Sequence, residues 1–199
     1  MTSRASTHPT VPVRIFGTTA QLTVEINDAE HDRRTRAGLG ALPEWAMLDG
    51  LLNLPLGWPV NIADLTDTER RLVARLPDSA VEHRALIDAT VIRRVQPVLR
   101  VLDATVRART WRTGLARVSR FAPYCLRSLL LLGDLPHSEH EHARLECCYH
   151  GVGLITTTNT GRVPLVSPEP FPRATRVPAA CRWWFTEEVY RQLLTRARA

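Results

Sequence analysis

Apolar and polar residues alternate twice near the start of the chain. Val11, Val13 and Ile15 are separated by Pro12 and Arg14, and Leu22, Val24 and Ile26 lie on the face opposite Gln21, Thr23 and Glu25. Period-two alternation on both sides of Gly17-Thr18-Thr19 predicts a β-hairpin. Pro12 places its first strand at a sheet edge, because proline has no N–H to give to a second neighbour. The signature returns late in the chain. Residues 145–157 and 162–166 are predicted as two strands about Asn159-Thr160-Gly161, a hairpin turn signal.

Between these hairpins the pattern is predominantly helical. Residues 28–40 are charged and end in glycine, so they are expected to form a loop. A short helix is predicted over 43–52, with Pro43 suited to the first helical position, and residues 53–65 are loop-like. Thr66-x-x-Glu69 is a capping box ahead of another short helix ending near Leu76. From Ser79 onward, Ile87, Val91, Val95, Val98, Leu102 and Val106 recur every three or four residues. That spacing predicts helix to about Ser119, kinked near Pro97, and a further helix follows from Pro123 to Leu132. Residues 167–178 are proline-rich and irregular. Thr186 is expected to cap a last helix through Ala197, with Glu187 and Glu188 in its first turn and arginines in its last.

The expected fold is therefore α+β: central helices with an N-terminal β-hairpin, a C-terminal β-hairpin and a terminal helix. Residues 1–10 are expected to be a disordered leader and residues 11–199 a single globular domain. Within that domain lie a basic helical segment over 79–133 and a hairpin–helix segment over 144–199.

Composition agrees with a globular class. Of the 199 residues, 44% are hydrophobic and 23% charged, enough to bury a core without disulfides. The first ten residues contain no apolar stretch typical of a secretory signal, and no run approaches the roughly 20 apolar residues of a membrane span. Four scattered cysteines do not form a disulfide framework, so a reducing, cytoplasmic compartment is expected. All 26 basic residues are arginine. Without lysine there is no phosphate-binding P-loop, no Schiff-base or pyridoxal lysine and no kinase strand lysine. Gly-x-Ser-x-Gly and His-Glu-x-x-His are absent as well. Gly38-Leu39-Gly40 is only a fragment of a dinucleotide fingerprint, since no strand precedes it and Pro43 stands at the third glycine position. No cofactor is expected.

Charge is where the chain departs from an ordinary domain. Between Ala89 and Gly133 nine arginines face one acid, Asp103, a formal charge of +8 in a protein whose total is +6. Such a field attracts polyanions, nucleic-acid phosphates above all. On the predicted helix Arg93, Arg100 and Arg107 share a face at a spacing of seven. Arg109, Arg112, Arg117 and Arg120 extend it, and Trp111 is placed to stack on a base. The expected function is non-catalytic nucleic-acid binding, regulatory or accessory, with DNA placed ahead of RNA. An alternative is a protein-interaction or self-assembly module. Residues 21–82 hold eleven acids against six arginines, so an acidic partner or a second copy would complement the basic face. A helix-turn-helix fits poorly, because residues 123–132 offer only Arg127 and Ser128 as readers.

The other cluster with chemical potential is His137, Glu139, His140, Glu141, His142, Glu146, Cys147, Cys148 and His150. His137, His140, His142, Cys147 and His150 are metal-ligating types, but their spacing matches no zinc signature, and a polar connector is the favoured interpretation. With Asp134, Glu146 and His150 as acid–base groups, the same region defines a further alternative, a metal-dependent nuclease. Trp183-Trp184-Phe185 is expected to anchor the last helix in the core.

Overall fold

The computed structural model describes residues 8–85, 89–133, 136–158, 161–171 and 177–197. In chain order its elements are β1 (Thr10–Ile15), β2 (Thr18–Ile26), α1 (Asp28–Arg36), α2 (Trp45–Asn53), β3 (Pro59–Asn61), α3 (Asp67–Val73), β4 (Val81–Ala85), β5 (Ala89–Arg93) and β6 (Leu99–Ala108). They continue with α4 (Trp111–Val118), β7 (Leu126–Leu131), α5 (His137–Tyr149), β8 (Gly153–Thr158), β9 (Gly161–Val166) and α6 (Ala179–Ala197). Short 3-10 turns follow β3 and α4. The fold class is α+β. Contacts divide the chain into two compact units, each assembled from two stretches: residues 1–25 with 101–176, and residues 26–100 with 177–199.

The first unit is built on a six-stranded sheet of order β1-β2-β6-β7-β8-β9. β1 and β2 pair antiparallel, with Ile15 opposite Thr18, so the turn is the dipeptide Phe16-Gly17. Both residues have positive φ, 53° and 68°, as a two-residue hairpin turn that follows the strand twist requires. β6, β7 and β8 are parallel neighbours, and β9 closes the far edge antiparallel to β8. Parallel neighbours need crossovers, which α4 and α5 supply. These two helices touch each other, so both cover the same face of the sheet. Gly114 lets α4 sit close to the strands: a Cβ there would collide with Leu129 and lie 2.9 Å from Ala108 Cβ.

The second unit packs α1, α2, α3 and α6 with a three-stranded antiparallel sheet of order β3-β5-β4. Its core joins Leu48, Leu51, Leu54, Val73, Val91 and Trp183. Arg34, with no exposed surface, bridges two buried carboxylates. Its Nε donates to Glu30 and its Nη1 and Nη2 to Glu187, each at 2.8 Å. Glu187 also accepts from Leu42 N–H and from Trp183 Nε1. Glu187 thus anchors α6 to Arg34 and Leu42, while Trp183 holds that carboxylate from within the same helix and packs in the core.

Several expectations are corrected. The segment over 79–133 is mainly strand: β4, β5, β6 and β7 occupy it, and among its described residues only 111–118 form an α-helix. Val101, Ala104, Val106 and Ala108 are all buried. The buried residues change face along β6, from Leu99 and Val101 to Ala104, Val106 and Ala108, and the resulting uneven interval mimics a helical period. Residues 28–36 are helix rather than loop. Asn27 caps α1 by accepting from Glu30 N–H, and Glu30 then pairs with Arg33 and Arg34 one turn on. Residues 137–149 are helix where a strand was expected from 145, and the strand begins only at Gly153. α6 starts at Ala179, so Thr186 is internal, its hydroxyl donating to Trp183 O. Thr10 opens β1 instead of ending a leader. Residues 1–7 of that leader, Ile87, Asp134 and the Asn159-Thr160 turn lie outside the described residues.

Candidate nucleic-acid interface

The Phe16-Gly17 turn is held in place from two sides. The Phe16 ring stacks on Tyr124 at 5.3 Å and meets Phe121 edge-on at 5.7 Å. Its carbonyl accepts from Arg120 Nη1 at 2.6 Å. A non-glycine residue in the left-handed region is uncommon, and here aromatic packing and a charged hydrogen bond hold it there. The consequence is a fixed wall, Gly17 to Thr19, beside α4.

That wall encloses a pocket of about 380 Å³ within the first unit. Arg14 comes to it from β1, Thr18, Thr19 and Gln21 from β2, Thr105 and Arg107 from β6, and Arg117 from α4. All three arginines are exposed. No carboxylate is among the lining residues. Among the described residues Arg107 and Arg117 have no hydrogen-bond or ion-pair partner. α4 supplies Arg117 because its opposite side, Trp111, Gly114, Leu115 and Val118, is buried. Thr18 is 5% exposed, and its hydroxyl has no partner among the described residues.

The arginines picked out in the sequence fall into three groups. Arg107 and Arg117 line the pocket, and Arg120 stands beside it, its Nη1 within 3.4 Å of where a Gly17 Cβ would lie. Arg109 is exposed in the link from β6 to α4, and Arg100 is exposed on β6 within the second unit. Arg93 and Arg112 are engaged internally. Arg93 Nη1 donates to Leu51 O and its guanidinium lies over Trp183, and burial lowers its pKa. Arg112 stacks on Trp111 at 4.4 Å and pairs with Glu139 at 3.2 Å. Trp111 is 8% exposed and donates to Glu139 at 2.5 Å, so a base has no open ring face to stack on. The common helix face of Arg93, Arg100 and Arg107 does not exist, since all three lie on strands. Arg14 was missed because it precedes the charged window and reads in the sequence as one outward strand residue. No recognition helix follows Arg120 either, since residues 126–131 form a buried parallel strand.

The histidine-rich cluster lies along one helix. His137, His140, His142 and Cys147 belong to α5, and His150 follows at its C-terminal end. A helix spreads thirteen residues over roughly 20 Å, so these groups cannot converge. Among the described residues no three His, Cys, Asp or Glu side chains are placed to hold a metal ion. Glu146 and His150 approach to 3.7 Å on exposed surface. Burial, with a smaller push from Glu146, raises the Cys147 thiol to about 11. Burial together with Asp103 raises that of Cys125 further, against a small opposing effect of Arg127. Neither is a thiolate at neutral pH.

A half-buried carboxylate lies behind the pocket residue Thr105. Asp103 accepts from Ser128 Oγ and Thr105 Oγ1, each at 2.9 Å. Burial raises its pKa against the pull of those two bonds. Arg127 is 2% exposed, donates to His150 O and lies over Phe171.

Fold and site together define an α+β protein with an arginine-lined pocket. Comparison with protein-family models, curated proteins and solved structures finds no match. Among the described residues no helix is long and apolar enough to cross a membrane.

Proposed function

We propose that this chain binds nucleic acid without catalysis, by neutralising phosphates at the pocket of Arg14, Arg107 and Arg117 with Arg120 beside it. One observation carries the proposal: three arginines from three separate elements line one pocket that contains no carboxylate. Surface arginines elsewhere in the molecule are commonly matched by acids, as Arg70 is by Asp67 and Arg191 by Glu188. Arg107 and Arg117 have no such acid beside them in the pocket lining and present their field to an external anion. Contact is to phosphate rather than to base edges, so the proposed role is accessory or regulatory and carries little sequence preference. DNA is the first ligand to test. A cytoplasmic setting belongs to the same proposal, because all four cysteines are free thiols.

Fluorescence anisotropy with labelled duplex DNA, single-stranded DNA and RNA across a salt series tests it. Neutralisation of three or four phosphates gives a log–log slope of about −3. Arg107→Glu combined with Arg117→Glu is expected to reduce that slope by about two and to weaken all sequences alike. Both side chains are exposed, so the thermal melt should not change. No binding at about 50 mM salt would reject the proposal. Loss of an oligomer in the double variant, without any effect on nucleic acid, would favour a self-assembly module.

A further inference from the structure

We infer that the arginine pocket takes a phosphomonoester, the terminal phosphate of a nucleic-acid strand, ahead of the internal diester backbone. This rests on the nucleic-acid proposal above and narrows it.

Shape is the first reason. A backbone tracked along a surface meets guanidiniums strung out in a row. Here they surround a concavity of about 380 Å³, within the roughly 300–1,000 Å³ range of small-ligand sites. A strand end can enter such a space, whereas a continuous duplex backbone passes over it.

Charge is the second. An internal diester carries one negative charge. A terminal monoester carries roughly 1.5 to 2 at neutral pH and has three free oxygens. Arg107 and Arg117, in a lining that holds no carboxylate, match the monoester better, and each fork can take two oxygens.

The third reason is what else lines the pocket. Thr19 and Gln21 stand among the arginines, the Thr105 hydroxyl being engaged with Asp103 and that of Thr18 buried, and no aromatic side chain is among the lining residues. A base has nothing to stack on, while the Thr19 hydroxyl and the Gln21 amide suit phosphate and sugar oxygens. The wall carrying Thr18 and Thr19 is fixed by the Phe16 contacts and the Arg120 bond, so ordering it adds no binding cost.

The test compares one single-stranded oligonucleotide bearing a 5′-phosphate, a 3′-phosphate or hydroxyl ends, with a mononucleotide and inorganic phosphate as competitors. One phosphorylated end is expected to bind about tenfold tighter than the hydroxyl-ended strand. The preference should shrink as pH falls through about 6, where the monoester takes up its second proton while arginine does not titrate. Arg107→Lys with Arg117→Lys keeps the charge but loses the forks. It should remove most of the preference while leaving the salt slope unchanged, and it guards against misfolding in the charge-reversed variant. Equal affinity for phosphorylated and hydroxyl ends would overturn the inference and leave the backbone proposal standing. Competition by the mononucleotide with no binding of any strand would overturn both. A preference that survives in both double variants would place the end elsewhere and overturn the assignment to this pocket.

Discussion

Single residues in this protein carry more polar burial than a plain hydrophobic core would. Asp103 illustrates the cost. Its folded-state pKa is raised above the ordinary 3.8 by burial, although Thr105 and Ser128 donate to it. The folded state therefore binds this proton more tightly than the unfolded chain, and the associated stability is lost as pH rises through the folded pKa. Asp103→Asn keeps an acceptor for one hydroxyl and removes the charge. At pH 7 it is expected to raise Tm, and the difference from wild type should vanish in acid. Thermal melts of both proteins from pH 3 to 8 check this. Glu30 behaves with the opposite sign. Burial raises its pKa, but hydrogen bonds and charge from Arg33 and Arg34 outweigh that and hold it below 4.5. Its contribution is present above the ordinary value and lost as pH falls through the folded one. Arg34→Ala would leave Glu30 and Glu187 buried without their shared cation. A loss of about 3–5 kcal/mol is expected by urea denaturation.

At the scale of elements, close packing of helix on sheet decides where the pocket lies. α4 can present Arg117 only if its buried side reaches β6 and β7, and Gly114 permits that approach. Gly114→Ala gains helix propensity but forces Leu129 and Ala108 aside. The expected net effect is a destabilisation of about 1–3 kcal/mol, together with weaker oligonucleotide binding as α4 is displaced. Equal stability of the variant and the wild type would disprove the close contact. Several elements were legible in sequence: the first hairpin by strict alternation, α3 by the Thr66–Glu69 capping box, which is formed, and α2 by its apolar spacing. β6 was not, because its buried residues change face between Val101 and Ala104 and interrupt the alternation. The usable signal there was β-branching, since Thr90, Val91, Ile92, Val95, Val98, Val101, Thr105 and Val106 crowd one segment. α1 was obscured because its buried positions are Glu30 and Arg34 rather than apolar residues.

On the scale of the whole molecule, each compact unit is assembled from stretches distant in sequence, and the basic window is divided between the two. Arg93 and Arg100 belong to one unit, and Arg107 to Arg127 to the other. Within the first unit, Arg107 and Arg117 of the window meet Arg14 at one pocket. If binding depends on that cluster, Arg100→Glu should leave affinity near wild type while Arg107→Glu lowers it several-fold, a comparison anisotropy makes directly. An equal loss in both variants would return the interface to the whole window.

The sequence by itself determined the fold class, the first hairpin, the surplus of arginine and the absence of lysine-dependent chemistry, because these depend on composition and on neighbours close along the chain. Tertiary structure decided which arginines meet. Arg14, Arg107 and Arg117 are brought together by sheet order and a crossover helix, and those follow from long-range pairing that local periodicity does not encode. The same pairing turned Arg93 and Trp111 inward, since burial depends on which face of an element finds a partner.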